Sequence, residues 1–229
     1  MKTAIVTGAS GNMGQAVVKK FIDEGYNVIG TIVPNDTVPL NFAEDKFEKT
    51  VVDLMDENAA QLFVNSVLEK HKNIDAAILT VGGFAMGDIA NTKTADILKQ
   101  YKLNFETAYN IARPVFVQML AQNSGRIFLV GSRPGLSAQF GKGTIAYGLA
   151  KSLIFRLAEL MNEEAKGKNV VVNVVVPSTI DTPPNRKSMP GADFEKWVQP
   201  EDIANVIYFQ CTDAAKTLRE TVIKVYNNS

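Results

Sequence analysis

Thr3-Ala4-Ile5-Val6-Thr7-Gly8-Ala9-Ser10-Gly11-Asn12-Met13-Gly14 is the stretch that decides the fold of this chain. Thr3 to Thr7 is a short apolar run, which predicts a buried strand. Three glycines follow within seven residues, and from Gln15 to Glu24 the apolar Val17, Val18, Phe21 and Ile22 recur at helical spacing. Strand, glycine-rich turn and helix in that order give the turn a physical role. Glycines let the backbone turn sharply and come close to a pyrophosphate, which then meets the amides and the positive dipole end of the helix. The alternative is an ordinary strand-to-helix loop. The flanking strand and helix favour a nucleotide site.

The same alternation runs through the rest of the chain. Further strands are expected over 26–33, 46–53, 74–81, 126–130, 169–176 and 220–226. Helices are expected over 15–24, over 56–71 and over 92–123. Two more run from Tyr147 to about Met161 and from Glu201 to Cys211. In the second, Asp56 is the expected N-cap, and Leu62, Phe63, Val67 and Leu68 are the expected buried face. The third reads as one helix or two, with a local kink at Pro114. Residues 169–176 carry valine on both faces, so that strand should be central and covered on both sides. Continuous apolar strands alternating with helices imply an α/β chain: a doubly wound parallel sheet of the Rossmann type, about seven strands with helices on both faces. No repeat, low-complexity tract or linker interrupts it. Residues 1–229 are therefore expected to form one domain, with a substrate loop at about 178–200.

Composition narrows the function. Lys plus Arg and Asp plus Glu both number 24, so the neutral chain has no general attraction for nucleic acid or anionic lipid. Cys211 is the only cysteine, which excludes a disulfide or a cysteine zinc site within the chain. His71 is the only histidine, in Glu69-Lys70-His71-Lys72-Asn73, where a solvated helix end is expected. One histidine and one cysteine argue against a transition-metal site or a histidine-based triad. Met1-Lys2 leads straight into an apolar run, and no stretch is long enough to span a bilayer. The expectation is a cytoplasmic protein without nucleic-acid or membrane partners.

Tyr147-Gly148-Leu149-Ala150-Lys151 opens an apolar helical run. Tyr147 and Lys151 are four apart, so they lie on one face, one turn apart. A free phenol has a pKa of about 10 and is a poor acid at neutral pH. A fixed ammonium nearby favours the phenolate and lowers that value. The pair could thus donate a proton. Taken alone, the spacing fits a half-buried Tyr and a solvated Lys equally well.

Together, Thr7-Gly8, the glycine turn, Asp53 after the third strand and Tyr147-x-x-x-Lys151 resemble the short-chain dehydrogenase/reductase family along nearly the whole chain. The resemblance implies a catalytic tetrad. Tyr147 would be the proton donor, and Lys151 would lower its pKa and hold the nicotinamide ribose. Ser132, in Val130-Gly131-Ser132-Arg133-Pro134-Gly135-Leu136, would orient the reacting carbonyl, with Ser137 as the alternative. Asn104, in Lys102-Leu103-Asn104, would hold a proton-relay water. The resemblance also implies NAD or NADP as cofactor. Gly8, Ser10, Gly11, Asn12, Met13 and Gly14 would surround the pyrophosphate and adjacent ribose. Asp53 and Leu54 would meet the adenine, and Val81, Gly82 and Gly83 would lie along the adenosine ribose. Pro177, Ile180 and Thr182 would fix the nicotinamide amide. All of these fall at the ends of successive strands, the edge where open parallel sheets bind ligands. NAD enzymes of this fold place an acidic residue about 20 residues beyond the glycines to bond the adenosine ribose. Ile32 stands there in this chain, and Asp36, beyond Pro34, is expected to lie too far along. Weak discrimination between the two cofactors is the expectation.

The spacing Gly8-x-x-Gly11-x-x-Gly14 puts Asn12 where most of the family carry glycine, as dihydropteridine reductases do. The stretch from Pro177 to Trp197, with Ile74-Asp75-Ala76 and Gly82-Gly83-Phe84-Ala85, is similar to that group as well. Animal dihydropteridine reductases lack the serine and asparagine that Ser132 and Asn104 supply. The combination implies hydride transfer to a small carbonyl or a quinonoid dihydropterin-like substrate. Phe84, Met189 and Trp197 are the expected substrate residues, the last two forming with Phe194 an apolar lid or a plain amphipathic surface helix. A homodimer or homotetramer through the long helices around Asn104 and Tyr147 is implied. The other class of function is a catalytically silent dinucleotide-binding sensor or scaffold. Such proteins are expected to lose the Tyr or the Lys, and both are kept.

Overall fold

The computed structural model describes residues 1–228. Strand β1 (Thr3–Thr7) is buried at every residue, as its unbroken apolar run requires. It leads into α1 (Asn12–Asp23) and then β2 (Asn27–Ile32) and β3 (Phe47–Val51). Next come α2 (Glu57–His71), β4 (Ala76–Leu79), α3 (Thr94–Tyr101), a π-helical turn (Lys102–Glu106) and α4 (Thr107–Gln122). The chain continues through β5 (Ser124–Val130), α5 (Arg133–Leu136), α6 (Ile145–Glu164) and β6 (Asn169–Pro177). It ends with α7 (Pro183–Ser188), α8 (Pro200–Phe209) and β7 (Val222–Val225).

One seven-stranded sheet has the order β3-β2-β1-β4-β5-β6-β7, and every neighbouring pair is parallel. The strand order reverses between β1 and β4. There the connections leave in opposite directions and a crevice opens beyond the carboxyl ends of the strands. Side chains alternate across the sheet. Ile5, Leu79, Ile127 and Val172 pack under α2, α4 and α6, while Ala4, Val6, Ile78 and Phe128 pack under α1 and α8. Val170 to Val172 and Val174 to Val176 are almost wholly buried, so β6 is covered on both faces as its valines predict. Each such side chain contributes roughly 1.5–3 kcal/mol on burial. β7 pairs with β6 only from Val174 onward, and before that point Asn162 of α6 takes over. Its amide accepts from Val172 N at 2.8 Å and donates to Val172 O at 2.7 Å. That bond pair fixes α6, and with it Tyr147 and Lys151, against the sheet.

Two local expectations change, at Leu62 and at His71. Asp56 caps α2 as predicted, accepting from Asn58 N and Ala59 N, but Leu62 is 67% exposed. The buried stripe is Ala60, Phe63, Val64 and Val67, a strict i, i+3, i+4, i+7 set that leaves Leu62 on the far side. Leu68 is partly buried against it. The 92–123 segment takes the two-helix form, α3 and α4 joined without interruption by the π turn around Asn104, and Pro114 lies inside α4. His71 is not solvated: its ring meets Glu48 on β3 at 2.9 Å, because the end of α2 packs back beside that strand. Among the described residues no helix is long and apolar enough to cross a membrane, and no group of His, Cys, Asp and Glu is arranged to hold a metal ion.

Candidate active site

The glycine turn forms the floor of the crevice. Gly8 takes a positive φ of 64°, which glycine adopts without strain. Gly11 N donates to Gly8 O at 3.0 Å and closes the turn. A Cβ on Gly14 would stand 2.1 Å from Gly8 O, so α1 can approach β1 this closely only with hydrogen there. Gly11 is the N-cap of α1 and no side chain caps the helix, so its first amides face the crevice. An uncapped helix start above a side-chain-free floor fits a pyrophosphate. Asn12 is tolerated in place of glycine because it is the first residue of α1, with ordinary helical backbone.

A groove of about 450 Å³ runs from this floor along the ends of β1, β2 and β4. The predicted Gly8, Ser10, Gly11, Asn12, Met13, Gly14, Ile32, Asp53, Leu54, Val81, Gly82 and Thr182 all line it. Thr31, Met55, Leu103 and Thr107 line it too, and the strand-end pattern did not single them out. A second cavity of about 540 Å³ joins it through Met13, Thr80 and Gly82. Gly83, Pro177 and Ile180 line this one, with Phe84, Asn104, Ser132, Tyr147, Lys151 and Met189.

Helix α6 presents Tyr147 and Lys151 to that cavity. Lys151 is 4% exposed, and its Nζ donates to the carbonyl of Val130 at 2.8 Å. Burial pushes the ammonium down to about 8. Burial pushes the Tyr147 phenol up, and the Ser132 hydroxyl acts in the opposite direction. The expected lowering of Tyr147 by Lys151 is therefore not what this protein shows. The ammonium is drawn to Val130, and loss of water around the phenol dominates. Ser132 lies at the end of β5 and caps α5, accepting from Gly135 N at 3.2 Å. Ser137 instead caps the next turn through Gln139 N and does not line the cavity. The alternative serine is set aside on that ground.

Asn104 sits in the π turn, a feature frequent at functional sites. Its side chain bonds through both Oδ1 and Nδ2. Oδ1 accepts from Gly83 N at 3.0 Å, and Nδ2 donates to Gly83 O at 3.0 Å and to Gln100 Oε1 at 2.8 Å. A Cβ on Gly82 would lie 2.7 Å from Asn104 Oδ1 and 3.2 Å from Lys151 Nζ. Asn104 thus holds the Gly82-Gly83 backbone against the lysine and lines the cavity.

The segment after β6 is anchored rather than loose. The Asp181 carboxylate takes Arg186 at 2.5 and 2.6 Å and Gln199 at 2.9 Å, which hold it down at about 2. Thr182 caps α7 through Asn185 N, and Asn185 Nδ2 donates to Ile180 O at 2.8 Å. Met189 lines the substrate cavity, and Phe84 meets the Tyr147 ring edge-on at 5.1 Å. Trp197 does not join them. It is 5% exposed, packs on Phe194 at 4.8 Å and lies outside the cavity lining. The apolar lid is thereby reduced to Met189, because Phe194 and Trp197 pack on one another. Arg133, unnoticed in the sequence, also lines the cavity, its guanidinium 4.3 Å over the Tyr226 ring. Asp36 departs most from expectation: its carboxylate accepts the Ser10 hydroxyl at the edge of the groove.

Comparison with known proteins agrees with this geometry. Residues 2–192 match the sequence model of the short chain dehydrogenase family. The uncharacterized oxidoreductase YvrD of Bacillus subtilis (strain 168) is 29% identical over 251 aligned positions, covering 98% of this chain and 94% of its own. The acetoacetyl-CoA reductase of Acinetobacter sp. (strain RA3849) is 27% identical, covering 80% of this chain and 75% of its own. A 3-oxoacyl-[acyl-carrier-protein] reductase FabG of Thermotoga maritima is 24% identical over 98% of this chain and 96% of its own. Among solved structures, that of gox2181 superposes with a TM-score of 0.88 at 24% identity, over 98% of this chain and 93% of the other. A short chain dehydrogenase from Bacillus anthracis superposes with a TM-score of 0.86 at 18% identity, over 99% and 95%.

Proposed function

Because this chain belongs to the short-chain dehydrogenase family and is an NAD(P)-dependent oxidoreductase, we propose that it reduces a small carbonyl or a quinonoid dihydropterin, with Tyr147 as proton donor. One observation carries this reading. Ser132, Tyr147 and Lys151 share a single cavity that opens, past Met13, Thr80 and Gly82, onto the glycine floor. When bound there, a reduced nicotinamide supplies the hydride. Gly8 to Gly14 and the first turn of α1 hold its pyrophosphate. Lys151 has donors to spare beyond the Val130 carbonyl, and these hold the nicotinamide ribose. Pro177, Ile180 and Thr182 position the carboxamide end, on a segment steadied by Asp181 and Arg186.

The substrate heteroatom gains negative charge as it is reduced. Tyr147, a phenol protonated at neutral pH, donates to it, and the Ser132 hydroxyl orients it. Asn104 serves by holding Gly82 and Gly83 beside Lys151. Phe84 and Met189 form the apolar rim, which suits a flat ring as well as an acyl chain. The dihydropterin reading is supported by the Gly8-x-x-Gly11-x-x-Gly14 spacing and by the Pro177 to Trp197 stretch. The carbonyl reading is supported by Ser132 and by the relatives named for 3-oxoacyl and acetoacetyl thioesters.

The test is oxidation of reduced nicotinamide by the purified protein in the presence of aldehydes, ketones, 3-oxoacyl thioesters and quinonoid dihydropterin. Turnover of any of them supports the reading. Tight nicotinamide binding without turnover across the panel would replace it with a silent nucleotide sensor.

We also propose a homodimer or homotetramer. Tyr109 and Val117 on α4 and Leu149, Leu153 and Leu160 on α6 are exposed apolar side chains on the two long helices. A second copy would cover them. Light scattering of the purified protein tests this, and a monomer at micromolar concentration would end it.

A further inference from the structure

We infer that Arg133 selects a substrate that bears a carboxylate, so that the compound reduced in this cavity is an oxo acid. The inference rests on the reading of the cavity as a reductase site and narrows its substrate class. Among the described residues two charged side chains line the cavity, Arg133 and Lys151, and both are cations. No Asp or Glu among the described residues lines it. Asp181, on the segment that follows β6, is taken by Arg186 and Gln199 and lies outside the lining. The chain as a whole is neutral, with 24 basic and 24 acidic residues, so the positive charge of the cavity is a local feature. A cleft lined by one sign of charge draws in the opposite sign. Lys151 serves the Val130 carbonyl and the nicotinamide ribose, which leaves Arg133 as the cation for a substrate anion.

The position of Arg133 is fixed from both ends. Its backbone opens α5, directly after the Ser132 cap. Ser132 O accepts Leu136 N at 3.0 Å, and Arg133 O accepts Ser137 N at 3.0 Å, so the two residues sit in one closed turn. At the far end the guanidinium carbon lies 4.3 Å from the centroid of the Tyr226 ring and 5.5 Å from that of Phe140. Tyr226 follows β7 and Phe140 follows α5, so two elements distant in the chain steady the same group. Attraction to a ring face uses the charge of a guanidinium and not its N–H bonds. Arginine carries five donors in a fixed fork, and the fork matches a carboxylate in two parallel bonds. Ser132 and Arg133 are consecutive and share the cavity, so a carbonyl at the hydroxyl and a carboxylate at the fork can belong to one small molecule. Phe84 and Met189 take its apolar remainder. A methyl ester of the same compound has no charge to offer the fork, and its bond to arginine is the weaker one.

The experiment offers the purified protein and reduced nicotinamide a series of oxo acids with growing separation between carbonyl and carboxylate, each beside its methyl ester. For the best acid, kcat/KM in the parent should exceed that of its ester at least about tenfold, as a hydrogen bond to a charged group allows. Arg133→Met should lose most of that ratio, chiefly through a higher KM for the acid. Equal kcat/KM for acid and ester in the parent, or an unchanged ratio in the variant, overturns the inference while leaving a carbonyl reductase standing. Turnover of neither acids nor esters by the parent overturns carbonyl reduction and the inference with it. Inhibition of the parent alone guards against a misfolded variant. Saturated carboxylates should compete with the reacting ester at concentrations at least about tenfold lower than the matching primary amides. Equal inhibition by the two overturns the inference without any substitution.

Discussion

Lys151 donates from Nζ to the main-chain carbonyl of Val130 at 2.8 Å, tying the buried face of α6 to the last residue of β5. The ammonium is thus anchored before any ligand arrives. Anchoring it in a dry place has a thermodynamic consequence, which Lys151→Met exposes. Folded Lys151 titrates at about 8 against an ordinary 10.5, so between those values the unfolded chain binds more protons. The Lys151 contribution to stability should therefore rise with pH across that window, while burial of Cys211 and Tyr26, which pushes their values up, contributes in the opposite direction. Below it, the buried charge costs a few kcal/mol. Methionine removes that cost but leaves the Val130 carbonyl without its donor, which costs about 1–3 kcal/mol. At neutral pH Lys151→Met should be as stable as the parent or up to ~2 kcal/mol more so. Near pH 10.5 it should be the less stable of the two. Urea unfolding at both pH values reads this. A stability difference between parent and variant that is the same at both pH values would show that Lys151 is not strained.

Tyr147→Phe tests the proton donor. The ring and its edge-on contact with Phe84 are kept, and only the hydroxyl goes. Nicotinamide affinity should be nearly unchanged, while kcat falls by about 10²–10⁴. Steady-state kinetics beside a binding titration separate the two. Turnover at the parent rate would remove Tyr147 from the chemistry.

Ser132→Ala distinguishes the substrate classes. A quinonoid dihydropterin is already a polarised, conjugated acceptor and needs little help from a hydroxyl. A simple ketone or aldehyde relies on a pre-placed donor, worth ~2.7–4 kcal/mol. The substitution should cost dihydropterin reduction little and ketone reduction much more. Following loss of the reduced nicotinamide with both substrate types gives the comparison. A parent inactive on dihydropterin, with Ser132-dependent ketone reduction, would leave a general carbonyl reductase.

Gly14→Ala and Gly11→Ala should differ sharply. The new Cβ at position 14 would meet Gly8 O at 2.1 Å, a backbone atom that cannot swing away. At position 11 the nearest atom is 3.3 Å off. Gly14→Ala should destabilise by roughly 1–3 kcal/mol or more and abolish nicotinamide binding. Gly11→Ala should stay folded with a smaller loss of affinity. Urea unfolding and nucleotide titration check both, and equal effects would mean that α1 can slide.

Much of this protein is readable along the chain because it rests on local chemistry. Hydrophobic period separates β1 from α1, and the glycines between them state that backbone must approach backbone. Valine on both faces of β6 requires cover on both sides, and four-residue spacing places Tyr147 and Lys151 on one face of α6. Resemblance to the family named Gly8, Asp53, Gly82 and Pro177, and the predicted strand ends put all four at one edge. Other features depend on which elements meet. Asp36 reaches Ser10 only because a turn after β2 reverses over the glycine floor. Asn104 is committed to Gly83 and Gln100 by a π turn that no residue pattern announces. Trp197 goes inside and Leu62 outside according to how α2 and the segment after β6 are seated. The shifts of Tyr147 and Lys151 follow from water excluded by the packed sheet and helices, which is a property of the assembled interior. Period and glycine placement are set by neighbours in sequence. Burial, hydrogen-bond partners and proton affinity are set by residues far apart in the chain, and only the tertiary structure decides those.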